Sequence, residues 1–152
     1  MADADTGRFT IGVFQDLAWA EKGTAALMQH GFPKESLSIV AKESPDAAAF
    51  IERTLGAAPE RVEARGIGAV VVRGPLVAAL QGGDRGFAQQ GIAATMRRVG
   101  FQAHDGFIFE ALTGRGGILV AIRSEPRAAD ALAVLMSYGG GNAAIGAWTG
   151  RV

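Results

Sequence analysis

Residues 9–41 and 117–149 align without a gap at an offset of 108 residues. In that alignment Leu27-Met28 faces Leu135-Met136, Gly31 faces Gly139, Ala20 faces Ala128 and Leu37 faces Ile145. Each copy reads as a strand, an amphipathic helix, a glycine stop and a second strand. A unit of this kind has an apolar stripe on its helix and an apolar strand face, and must bury both against another element. Two βαβ units in one chain most simply build a four-stranded antiparallel sheet with two helices on one face, the α+β ferredoxin-like arrangement.

Local signals support this parsing. Phe9-Thr-Ile-Gly-Val-Phe14 is short and β-rich. Asp16 is placed to cap a helix running to about His30, with Leu17, Ala20, Thr24, Leu27 and Met28 on its buried side. Gly31 and Pro33 end it, and Leu37–Ala41 reads as the next strand. In the second copy, Ile118–Ile122 is a strand and Ser124 the cap. The helix there runs to about Tyr138, and Ala144–Trp148 is the final strand. The strands are apolar on both sides. Phe9, Ile11 and Val13 oppose Phe14, while Ile118, Val120 and Ile122 oppose Leu119 and Ala121. Such a sheet needs a cover on its second face. Either the segment between the repeats or a partner subunit supplies it, and the second choice implies a homo-oligomer, with a dimer favoured.

The intervening segment, about 43–115, reads as a mainly helical insertion within a single domain spanning residues 1–152. Ser44-Pro45-Asp46 opens a helix to about Leu55. Gly66–Val72 is a strand or buried extended stretch, and Gly74-Pro75-Leu76 starts a short helix to about Gln81. Two more helices follow near 88–99 and 103–113, the last made bulky by Phe107, Ile108, Phe109 and Leu112.

The first strand and helix, the His30-Gly-Phe-Pro33 turn and Leu37-Ser-Ile-Val40 resemble the opening of the bacterial heat-induced general stress protein domain. The resemblance continues at Gly66-Ile-Gly68, at Gly74-Pro-Leu76, and at Phe107–Val120, where a helix leads into a Gly-Gly-Ile-Leu-Val strand. It implies a stress-related setting and brings no catalytic residues with it. Where relatives carry a long Gly/Ala-rich segment suited to membranes, this chain has a short one interrupted by Arg65 and Arg73.

Composition narrows the chemistry. The chain has 15 basic and 15 acidic residues and no cysteine. Charge balance argues against a nucleic-acid partner, and the missing thiols exclude disulfides and cysteine-based metal or redox sites. Residues 1–63 carry ten acidic and six basic groups, a net of −4; residues 64–152 carry five and nine, a net of +4. The start, Met1-Ala-Asp-Ala-Asp5, lacks the pattern of a signal peptide. The uncharged run Ala131–Gly150 is broken by Gly139-Gly140-Gly141-Asn142, which makes it helix, turn and strand rather than a membrane span. A cytoplasmic location is the expectation.

Gly66-Ile-Gly68 lacks the third glycine of a dinucleotide fingerprint, and Gly82-Gly83-Asp84-Arg85-Gly86 reads as a surface turn. His30 ends a helix, where it complements the macrodipole. His104 beside Asp105 forms a pair that needs a nucleophile or substrate within reach to act as a base. Arg73, Arg97 and Arg98 are candidates for binding an anion, against the plainer reading of a solvated face. Glu110, among Phe107, Phe109 and Leu112, is a candidate acid or base, or the partner of an arginine such as Arg115. Trp19 and Trp148 can stack a ligand or pack at an interface. No metal site and no cofactor is expected. The sequence therefore points first to a non-enzymatic protein acting through self-association or partner binding. A sensor of a small anionic metabolite comes second, and an enzyme using Glu110, His104 or Asp105 third.

Overall fold

The computed structural model describes residues 9–77, 86–98, 103–123, 128–137 and 149–151. The elements are β1 (Phe9–Phe14), α1 (Leu17–Gln29), β2 (Leu37–Lys42), α2 (Pro45–Leu55), β3 (Glu60–Ala64), β4 (Gly68–Arg73), α3 (Gly86–Arg98), α4 (Ala103–Gly114), β5 (Ile118–Arg123), α5 (Ala128–Ser137) and β6 (Thr149–Arg151), with a 3-10 turn at Lys34–Ser36. The fold is α+β. Its strands form one antiparallel sheet in the order β3-β4-β2-β5-β1-β6. β1 and β2 run parallel to each other with β5 between them, so the α1 crossover leaves room for a strand from the other repeat.

Six strands replace the four expected. The insertion opens with α2, as expected, but then forms β3 and β4, a hairpin that extends the sheet beyond β2. β4 follows the expected apolar run. β3, Glu-Arg-Val-Glu-Ala, has only one large apolar residue, because it is an edge strand with charged groups in solvent. The expected final strand, Ala144–Trp148, lies outside the described residues; Thr149–Arg151 pairs with β1.

Both faces of the sheet are covered from within the chain. On one side α1, α2 and α5 pack on Phe14, Leu37, Ile39, Ala41, Val71, Ile118, Val120 and Ile122. On the other, Phe87, Ile92 and Met96 of α3 and Phe109 of α4 meet Phe9, Ile11, Val13, Val40, Val70, Val72, Leu119 and Ala121. The alternation read from the strands therefore holds, and the cover is the insertion. The second face gives no reason to invoke a partner subunit.

Local chemistry starts and stops these elements. The Asp16 carboxylate accepts from Trp19 N at 3.0 Å, and Ser44 Oγ accepts from Ala47 N at 3.0 Å. At the end of α1, His30 Nδ1 donates to the Ala26 carbonyl at 2.8 Å. Gly74 follows β4 with φ 124°, and a Cβ there would lie 2.4 Å from Ser38 Cα. Only glycine fits that approach, which lets buried Ser38 Oγ accept from Leu76 N at 2.8 Å.

Candidate functional site

β1 and β2 end at the same edge of the sheet, and β5 begins there, with Ile118 opposite Phe14. Each parallel strand then turns into a helix, through Asp16 into α1 and through Ser44 into α2. The two helices diverge from their strands and leave a cleft of about 580 Å³. Crevices at the carboxyl ends of strands are a common place for ligands in sheets with helical crossovers. Leu17, Ala41, Ala47 and Ile118 supply apolar wall; Asp16, Lys42, Glu43 and Ser44 supply polar groups.

The polar groups are not equivalent. Asp16 and Ser44 are engaged as helix caps. The Glu43 carboxylate accepts from Arg61 Nε at 2.9 Å and, by hydrogen bond and charge, raises the Arg61 pKa above its ordinary value. Lys42 is exposed, and its ammonium makes only a long contact, 3.3 Å, with the Gly114 carbonyl. Its side chain alternates with that of Ala41 and projects on the face covered by α3 and α4, whereas the cleft is flanked by the N-termini of α1 and α2.

No family model, curated protein or solved structure matches this chain. What the cleft binds has to be argued from its own residues.

The arginine and carboxylate candidates lie elsewhere. Arg73, at the end of β4, donates to the Ala58 carbonyl at 3.1 Å. Arg97 is exposed near the end of α3. Neither lines this cleft or the two smaller cavities near Glu110 and near Arg53. The side chains of Arg98, His104 and Asp105, the whole of Trp148, and the Gly82–Arg85 turn fall outside the described residues.

Glu110 has a definite task. α3 is broken at Gly91, where φ is 86° and ψ 172°. A second helical stretch starts there with unsatisfied N–H groups, and Glu110 Oε1 accepts from Ala93 N at 2.7 Å. Glu110 is thus a helix cap supplied by the neighbouring helix, and its hydrogen bond goes to this backbone rather than to Arg115. Trp19 is 36% exposed, with Lys22 Nζ 4.9 Å from its ring centroid. No group of three or more potential metal ligands occurs among the described residues, and no described helix is long and apolar enough to cross a membrane.

The apolar walls of the cleft, Leu17, Ala41, Ala47 and Ile118, carried no motif in the sequence. The usable signal was indirect. Both Asp16 and Ser44 read as caps directly after strands, and two parallel strands that each turn into a helix at one sheet edge form a crevice between those turns.

Proposed function

We propose that this protein is a non-catalytic binding protein, and that its cleft takes a small amphipathic molecule with an anionic group. The observation that carries this reading is the cleft at the ends of β1 and β2, apolar in its walls and flanked by the N-termini of α1 and α2. An apolar body would displace water from Leu17, Ala41, Ala47 and Ile118 while its anion met the positive ends of the α1 and α2 dipoles. Ligand binding ranks ahead of self-association through a sheet face, because α3 and α4 occupy that face.

The strand order β2-β5-β1-β6 supports reading these four strands as a ferredoxin-like core from a duplicated βαβ unit, with β3 and β4 added at its edge. The motifs quoted above support placing the protein beside the bacterial heat-induced general stress domain, and its ligand in a stress setting.

The test uses 8-anilinonaphthalene-1-sulfonate, an amphipathic anion whose fluorescence rises on leaving water. Wild-type protein should bind it saturably at one site. Ala18→Glu, which puts a negative charge at an exposed position lining the cleft, should weaken binding roughly tenfold. Ala18→Trp, at an exposed position lining the cleft, should abolish binding by filling it. Binding that is unchanged in both variants would sink the reading.

A further inference from the structure

β3 closes the sheet on one side, and no described strand flanks its outer edge. Its main-chain polarity can be assigned. Ile67 N donates to the Ala64 carbonyl at 3.0 Å, so Ala64 turns its polar groups inward, toward the hairpin. Residues alternate along a strand, so Arg61 and Glu63 direct their N–H and C=O groups outward. Arg65 N confirms the alternation, donating outward to the Phe87 carbonyl at 2.8 Å. That contact also brings the start of α3 against the Arg65 end of the edge. Glu60, Arg61 and Glu63 are exposed along this strand.

The side chains alternate as well. Val62 packs into the core on the α3 side. Arg61 and Glu63 therefore project on the opposite face, with side chains 55% and 61% exposed and 3.3 Å apart. A charged edge normally repels added strands. This edge repels most of them but is complementary to itself. In an antiparallel pair centred on Val62, Arg61 lies opposite the partner's Glu63, and Glu63 opposite the partner's Arg61. Those are also the residues whose main-chain groups face outward, so the register that matches the charges is the one that forms the hydrogen bonds. A parallel pair or a register slipped by one residue loses the match.

We propose that a second copy of this chain docks on the outer edge of β3, antiparallel and centred on Val62, to give a two-fold dimer with a continuous sheet. The interface is isologous, with both subunits presenting the same residues. It lies at the far side of the sheet from β1, and Arg61 also holds Glu43 at the cleft, so 8-anilinonaphthalene-1-sulfonate binding is measured beside dimerisation in each variant.

Sedimentation velocity over a wide concentration range tests this directly. The wild type should show a monomer–dimer equilibrium. Arg61→Glu alone places like charges opposite one another, as does Glu63→Arg alone, and each should weaken dimerisation roughly tenfold or more. An equimolar mixture of the two variants should restore a dimer, because an all-acidic edge then faces an all-basic one. Both substitutions are at exposed positions, and circular dichroism checks that each variant retains the wild-type fold. The mixture also separates interface repulsion from misfolding, since a damaged fold is not rescued by mixing. A wild type that stays monomeric throughout, single variants that dimerise like wild type, or a mixture that stays monomeric would each overturn the proposal.

Discussion

The two sides of the sheet are built by different means. On the side of α1, α2 and α5, the described helices keep regular geometry, and α1 and α2 each begin with a residue that caps its own first turn, Asp16 or Ser44. On the side of α3 and α4, α3 breaks at Gly91, and the cap of its second stretch comes from Glu110, seventeen residues away on another helix. Both sides nevertheless bury large side chains completely, Phe50 and Ile51 on the first and Phe87 and Phe109 on the second. Burial of similar quality thus rests on local signals in one layer and on a long-range contact in the other.

The sharpest way to break this comparison is to remove one buried phenylalanine from each layer. Phe50→Ala and Phe109→Ala should each lower the unfolding free energy by about 3–5 kcal/mol, the range for deleting a buried aromatic side chain. Urea denaturation reads both. If Phe109→Ala costs far less, or splits the transition in two, the second layer is an appendage rather than half of a common core.

A smaller effect separates the two kinds of cap. Ser44→Ala and Glu110→Ala should each destabilise by about 1 kcal/mol, the usual loss for a helix cap. Glu110→Gln keeps an acceptor oxygen and should recover much of its share. Hydrogen exchange at Ala93 adds the distinguishing readout. Its amide should lose protection in Glu110→Ala and keep it in Ser44→Ala. Equal protection at Ala93 in the two variants would remove the long-range cap from the account.

The smallest expected change lies between α1 and α2, where Arg53 pairs with Glu21 in solvent. Arg53→Ala should shift stability by less than about 1 kcal/mol, since exposed ion pairs are screened and their side chains lose entropy on pairing. A larger loss by the same denaturation experiment would mean that the two helices depend on this contact more than on the Ala26, Leu27 and Phe50 packing beneath it.

Much of the first layer was legible in the chain. Asp16, Ser44 and the glycine at 31 act within one helical turn, and their meaning survives without knowledge of the fold. The two-sided strands were legible too, because a period of two shows directly in Phe9, Ile11 and Val13 against Phe14. β3 was not legible. Its Glu-Arg-Val-Glu-Ala sequence resembles a solvated turn until β4 is beside it. The partner of Glu110 was not legible for a related reason: its neighbours in sequence left an acid, a base or an arginine pair open, and its hydrogen bond is to a backbone group on another helix.

The sequence by itself determined the first strand–helix–strand unit, the starts of α1 and α2 and the need to bury both faces of the sheet, since all of these follow from periodicity and capping within a few residues. Only the tertiary structure decided that the insertion provides the second cover, that Glu110 caps α3, and that β1 and β2 end on either side of β5 to form a cleft lined by Ala41 and Ala47. Those features depend on contacts between residues far apart in the chain, where propensity and spacing carry no information about which groups meet.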